Sequence, residues 1–139
     1  MPEYPLAEKV PERLKTPTGL PFREITLEAV LEGALTMEDL RVTSEALELQ
    51  AQIAASSGRP QLAENLRRAA ELVNVPAERI LEIYNALRPG RASRKELWSL
   101  AKDLEQGYQA ARCAALIREA VESAPEPQAG ISGCATPAP

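Results

Sequence analysis

Apolar residues recur at three- and four-residue steps through most of the chain between Thr26 and Ser123, a spacing that places them on one face of an α-helix. The clearest case is Arg59–Arg91. There the pattern predicts two amphipathic helices, separated at Val75-Pro76 and ended by the turn at residues 88–91. No segment alternates apolar and polar residues as a half-buried strand would. The pattern predicts an all-α fold, a small bundle of about five to six helices.

Threonines mark the expected starts of the first helices. Thr26 and Thr43 can each cap a helix, and Thr36 starts a turn with Asp39 three residues on. The two capped helices are expected to span Leu27–Glu32 and from Ser44 to about Ser56.

The last helical segment begins with a capping box formed by Ser93 and Glu96. The apolar positions after it predict one long C-terminal helix to about Ser123, roughly 45 Å in length at about 1.5 Å per residue. A small bundle does not need a helix of that length. We therefore expect its end to reach across another chain.

The two ends of the chain differ from its middle in composition. Residues 1–25 contain five prolines, so we expect an extended Pro-rich arm with at most a short helical turn near Ala7–Lys9. The apolar side chains of this arm favour contact with a surface, either that of its own helices or that of a partner. Residues 124–139 are rich in Pro, Gly and Ala without periodicity, so we expect a disordered tail. The helical domain then covers residues 26–123.

The predicted core is poor in large side chains. Hydrophobic residues make up 45% of the chain, but 23 of them are alanine and only five residues are aromatic. Ordering a residue costs about 1.5 kcal/mol, so a core of small side chains leaves a small margin of stability. Such a chain gains from contact with a partner surface.

The charge balance bears on nucleic-acid binding. The segment LRRAAELVNVPAERILEIYNAL has the rhythm of a helix-turn-helix, but its second helix offers Glu78 and Glu82 against one cation, Arg79. The net charge is −4 and the pI is near 5.0, whereas nucleic-acid readers usually carry a basic footprint. A stand-alone helical regulatory or helix-turn-helix DNA-binding protein therefore remains the alternative interpretation.

The residues of common catalytic sites are scarce. The chain has no histidine, the commonest general base and metal ligand, so we assign no catalytic, cofactor-binding or metal-binding residue. Glu78 and Glu82 share a helix face, and two solvated carboxylates are favoured there over an acid/base pair. Cys113 and Cys134 are expected to be free thiols. With no signal peptide and no long apolar run, we expect a soluble intracellular protein.

Short segments spread over most of the chain carry a family resemblance. In order they are EYPLA at 3–7, TPTG at 16–19, ITLEAVLEG at 25–33, EDLRV at 38–42, LQAQIA at 49–54, RRAAEL at 67–72, ERILEIYNALRPGR at 78–91 and KELWSLAKDLE at 95–105. From about Glu3 to Glu122 the chain resembles the small (gamma) subunit of the adenosylcobalamin-dependent diol and glycerol dehydratases. ERILEIYNALRPGR is the most diagnostic of these segments.

The resemblance implies a heteromeric enzyme that converts a 1,2-diol or glycerol to an aldehyde and water by a radical mechanism. In that family adenosylcobalamin lies between the large (alpha) and medium (beta) subunits and supplies the radical chemistry. The small subunit contributes no catalytic residue. The resemblance therefore implies that this chain alone is inactive and braces the large subunit, in what we expect to be a dimer of heterotrimers. The implied location is the cytoplasm, with association with a bacterial microcompartment left open.

Two further expectations follow from the resemblance. The chain starts almost at the Tyr-Pro-Leu-Ala match, which is closer to glycerol dehydratase than to diol dehydratases with an added N-terminal segment. The second helix of the 59–91 pair places Ile80, Ile83, Tyr84 and Leu87 on one face, and arginines suit contacts with partner carboxylates. The residues expected at the subunit interface are Tyr4, Leu6, Arg79, Tyr84, Arg88 and Arg91.

Overall fold

The computed structural model describes residues 2–123, and that part of the chain is all-α, as predicted. It contains short 3-10 turns at Pro11–Arg13 and Phe22–Glu24 and, within the described residues, no strand beyond an isolated bridge between Lys15 and Pro21. The helices are α1 (Leu6–Lys9), α2 (Leu27–Leu31), α3 (Ser44–Ser56), α4 (Pro60–Leu72), α5 (Ala77–Ala86), α6 (Arg94–Tyr108) and α7 (Ala111–Ser123). The predicted disordered tail, residues 124–139, lies outside the described residues.

Side-chain caps begin three of the helices where the sequence predicts them. The Thr26 hydroxyl accepts a hydrogen bond of 3.2 Å from the backbone N–H of Ala29, and Thr43 starts α3 in the same way. Ser93 and Glu96 form the reciprocal capping box at α6, with the Ser93 N–H donating to the Glu96 carboxylate at 2.6 Å. These caps satisfy N–H groups that have no partner inside the helix.

A helical hairpin of α3 and α4 forms the first core. Its contact is lined by Ala51, Ala54 and Ala63, which are at most 6% exposed, and Leu66 packs beside them. Small side chains allow two helices to approach closely. The turn between the helices passes through Gly58, whose φ of 72° suits glycine.

The second core lies between α6, α7 and α5. Its largest fully buried side chains are Leu104 of α6 and Val121 of α7, and Ile83 of α5 is buried against them. Val75 precedes α5 and is 4% exposed in the same cluster. The Val-Pro break predicted within Arg59–Arg91 therefore carries a core residue.

The prediction of a single long C-terminal helix is wrong, because two helices occupy that stretch. The helix ends at Tyr108, Gln109 takes a left-handed conformation with φ 57°, and α7 starts at Ala111 and packs back along α6. Buried Ala110 closes the turn by donating its N–H to the carbonyl of Leu104 at 3.0 Å. The apolar spacing runs through the break because both helices face the same core. We expected the end of this helix to reach across another chain because of its length. The two helices have only 15 and 13 residues, so that reason no longer holds.

Polar contacts hold α7 to α4. The Glu71 carboxylate accepts backbone hydrogen bonds from Arg112 at 3.0 Å and Cys113 at 2.9 Å, and the Arg112 guanidinium lies 3.1 Å from Glu64. Cys113 is a free buried thiol, whereas Cys134, the other cysteine expected to be free, lies outside the described residues. Burial and the neighbouring Glu71 raise the pKa of this thiol to about 12. No helix in the described range is long and apolar enough to span a membrane.

The Pro-rich arm is extended only in part, because α1 and the two 3-10 turns interrupt it. The short helical turn predicted near Ala7–Lys9 is confirmed as α1, which has four residues. The arm is fastened at two points: the Arg13 guanidinium lies 2.8 Å from the Glu45 carboxylate, and the Thr18 hydroxyl donates to Asp39. Asp39 also accepts from the N–H and hydroxyl of Thr36, both at 2.8 Å.

Candidate interaction surfaces

The outer side of α5 is the first candidate surface. Ile83 is 7% exposed and Ile80 packs partly against the core, but Tyr84 is 65% exposed and Leu81 is 61% exposed. Helical spacing placed Tyr84 on the face of Ile80 and Ile83. The structure instead leaves Tyr84 exposed, like Leu81, because Ile80 and Ile83 pack with the second core and Tyr84 does not. Two large apolar side chains on one short helix are therefore open to contact.

Arg79 sits on the same helix but is already engaged within the chain. Its guanidinium lies 2.6 Å from the Glu82 carboxylate and 2.8 Å from that of Asp103 on α6. The hydrogen bond that Arg79 donates to Glu82, together with the negative charges of Glu82 and Asp103, raises the pKa of Arg79 above its ordinary value. In this arrangement Arg79 ties α5 to α6. Arg79 also forms an ion pair with Glu82, one of the two carboxylates considered as an acid/base pair.

Arg88 and Arg91 lie in the turn that follows α5. The Arg91 N–H donates to the carbonyl of Arg88 at 3.1 Å, and Gly90 takes a φ of 73°. Both arginines line a shallow pocket of about 350 Å³ together with Asn85 and Ala86. Among residues 2–123 no carboxylate pairs with either guanidinium. They are therefore available for carboxylates of another molecule.

A second candidate surface is an apolar groove between the N-terminal arm and the α3/α4 hairpin. Tyr4, which is 80% exposed, and the half-buried Leu6 lie on its arm side. Ile53 of α3 and Leu62 of α4 lie on its hairpin side, and the groove has a volume of about 1030 Å³. We name this feature the arm groove. Its full lining is Tyr4, Pro5, Leu6, Ala7, Leu14, Lys15, Thr16, Phe22, Ile25, Asp39, Leu40, Arg41, Val42, Thr43, Ala46, Gln50, Ile53, Ala54, Ser57, Arg59, Leu62 and Leu66.

The structure thus divides the six predicted interface residues between two places. Tyr4 and Leu6 belong to the arm groove, and the other four belong to α5 and the turn after it. The arm groove and the pocket beside Arg88 share no lining residue. Sequence reasoning did not find the groove, since its walls come from segments far apart along the chain. The signal that pointed toward it was the presence of apolar residues in a Pro-rich arm.

The chemistry that these surfaces offer is recognition by apolar area and guanidinium groups, which suits contact between proteins. Within the described residues no group of three or more Cys, Asp or Glu side chains is arranged to hold a metal ion. The Cys113 thiol is buried, and its pKa near 12 keeps it in the unreactive protonated form.

Comparison with known proteins gives one consistent result. The family model described as the dehydratase small subunit matches residues 1–127. A propanediol dehydratase small subunit of Citrobacter freundii is 55% identical over 118 residues, which cover 85% of this chain and 69% of that protein. A propanediol dehydratase small subunit of Salmonella typhimurium strain LT2 is also 55% identical over 118 residues, covering 85% of this chain and 68% of that protein.

Proposed function

This chain belongs to the family of dehydratase small subunits, and on that basis we propose that it stabilises the large catalytic subunit of a 1,2-diol or glycerol dehydratase without itself carrying out the chemistry. The observation that carries the proposal is the exposure of Tyr84 at 65% and Leu81 at 61% within ERILEIYNALRPGR. These side chains bury little within their own chain. An aromatic side chain beside a leucine, with Arg88 and Arg91 near one end, has the composition of a protein contact.

The proposed reaction of the whole enzyme converts the diol to an aldehyde and water. Adenosylcobalamin, bound by the large and medium subunits, supplies the radical chemistry in this proposal. We assign the cofactor to these partners because the family resemblance implies that position. The proposed assembly is a dimer of heterotrimers in the cytoplasm, either free or within a bacterial microcompartment.

The proposed substrate class is a short 1,2-diol or glycerol. Both relatives are named propanediol dehydratase small subunits. Propanediol is therefore the first substrate to test, with glycerol beside it. We expect the choice between them to be made by the large subunit.

The proposal is tested by producing the large and medium subunits with and without this chain. We expect the complete assembly to survive gel filtration and to turn over 1,2-propanediol with adenosylcobalamin present. Without this chain, the large subunit should be less soluble and lose activity faster during incubation. Equal assembly, activity and lifetime in both preparations would contradict a stabilising role.

The DNA-binding alternative is not favoured. On α5 the cation Arg79 is held by Glu82 and Asp103, so the would-be recognition helix presents carboxylates where phosphates would lie. The family membership points to an enzyme subunit. A titration of the chain with duplex DNA at low salt should show no binding.

A further inference from the structure

Five of the fourteen large apolar side chains that are exposed among the described residues line the arm groove. Its lining includes Tyr4, Phe22, Leu40, Val42 and Leu62, which are 80%, 44%, 60%, 48% and 43% exposed. Large apolar side chains gathered in one concavity mark an interaction site more often than scattered ones do. The groove is open rather than enclosed, so a segment of another chain fits it better than a small molecule that needs burial on most sides.

The charged side chains of the arm groove are mostly cations. Lys15, Arg41 and Arg59 belong to its lining, and within residues 2–123 none of them forms an ion pair. The carboxylate in the lining is Asp39, which is 4% exposed and whose oxygens accept hydrogen bonds from Thr18 and Thr36. The groove therefore presents positive charge on a chain whose net charge is −4.

We propose that the arm groove receives an apolar segment of the large subunit that is flanked by Asp or Glu residues. Apolar side chains of that segment would cover Leu40, Val42 and Leu62, and its carboxylates would pair with Arg41 and Arg59. Charge pairs at the edge of an apolar contact set its register and speed its formation. This inference rests on the proposed function, which supplies the partner, and adds a second contact to the one on α5.

A second copy of this chain is the rival occupant. Helix α2 carries exposed Leu27, Val30 and Leu31 with Glu28 in its first turn. It therefore resembles the proposed occupant, an apolar segment with a nearby carboxylate. We favour the large subunit over a second copy because the proposed function requires this chain to bind the large subunit. Crosslinking from the groove distinguishes the two occupants, because it would join this chain either to the large subunit or to a second copy of itself.

The first test measures how much of this chain co-purifies with a tagged large subunit co-expressed with the medium subunit. The groove variants are Leu62→Glu and the double variant Arg41→Glu/Arg59→Glu. Their matched controls are Leu116→Glu, at a leucine 45% exposed on α7, and Lys95→Glu/Lys102→Glu on α6. We expect each groove variant to reduce recovery at least tenfold in moderate salt and each control to stay within twofold. The double variant changes only exposed side chains, so it keeps the test decisive if Leu62→Glu fails to fold.

The second test replaces Leu62 in the full chain with a photo-crosslinking amino acid within the assembled enzyme. We expect a crosslink to a large-subunit segment that contains apolar residues and at least one Asp or Glu within a few positions. A crosslink to the medium subunit, to a second copy, or to a segment without carboxylates would overturn the proposal. Groove variants that co-purify like their controls would overturn it too, while leaving the proposed function intact. Failure of the unaltered chain to bind the large subunit would instead refute the proposed function.

Discussion

Glu71 on α4 caps the helix that begins at Ala111: one of its carboxylate oxygens accepts a hydrogen bond of 2.9 Å from the backbone N–H of Cys113. The other oxygen accepts from the N–H of Arg112 at 3.0 Å. Ala110, which precedes α7, has no side-chain acceptor of its own. A residue distant in sequence therefore does what a local Ser, Thr or Asp does at other helix starts.

Glu71→Ala should remove this cap and lower the free energy of unfolding by about 1–2 kcal/mol, because two N–H groups lose a charged acceptor. Glu71→Gln retains one acceptor oxygen and should lose less. Urea unfolding followed by circular dichroism measures both. Glu78→Ala, at an exposed position of α5, is the control and should change little. A Glu71→Ala variant as stable as this control would refute the capping role.

Gln109 separates α6 from α7 with a φ of 57°, a region where a side chain is strained. We expect Gln109→Gly to raise the free energy of unfolding by about 0.5–1 kcal/mol because glycine removes that strain. Gln109→Val should lower it by about 1–2 kcal/mol, since a β-branched residue tolerates positive φ poorly. Thermal unfolding of the two variants gives the answer. The opposite order would indicate a continuous helix through this position.

The stability that Asp39 contributes through its contacts with the arm depends on pH in the acid range. Hydrogen bonds from Thr18 and then Thr36 lower its pKa from 3.8 to about 2, so folding favours the ionised carboxylate. The stability that it contributes is complete above about pH 4 and is lost as the pH falls toward 2. We therefore expect the difference in unfolding free energy between the unaltered chain and Asp39→Asn to shrink over that range. A difference that is constant from pH 5 to pH 2 would count against these contacts.

Tyr84→Ala should leave the isolated chain nearly as stable as before, because the side chain is 65% exposed. It should reduce the amount of chain recovered with the large and medium subunits by about tenfold, the loss expected for an interface anchor worth about 1.4 kcal/mol. Tyr84→Phe keeps the ring and is the control. The ratio of kcat/KM for 1,2-propanediol and glycerol should not change. A changed preference in an intact assembly would contradict a role in docking alone.

The parts of the fold that depend on neighbouring residues could be predicted from the sequence. Thr26, Thr43 and Ser93 cap helices because each hydroxyl reaches the N–H group three positions further along the chain, a spacing that the sequence displays directly. The break at Gln109 was missed because neither proline nor glycine occupies it and the apolar spacing continues across it. The nearest glycine, Gly107, lies inside α6.

The candidate surfaces were harder to predict for a different reason. Helical spacing assigns Tyr84 to an apolar face, but only the packed structure shows that Ile83 fills the core and Tyr84 does not. The arm groove depends on contacts such as that between Thr18 and Asp39, twenty-one positions apart. Periodicity within one segment carries no information about such a pairing.

The close α3/α4 contact uses alanines, whereas the larger side chains Tyr4, Leu81, Tyr84 and Trp98 are exposed. Because of this distribution, the chain should be made in balance with its partner subunits. Chains produced in excess over their partners keep apolar surface in contact with water, and we expect that surplus to aggregate or be degraded. Light scattering of the chain expressed alone should exceed that of the co-expressed complex at equal concentration. Equal scattering would show that the exposed surface is harmless, and balanced production of the subunits would then be unnecessary.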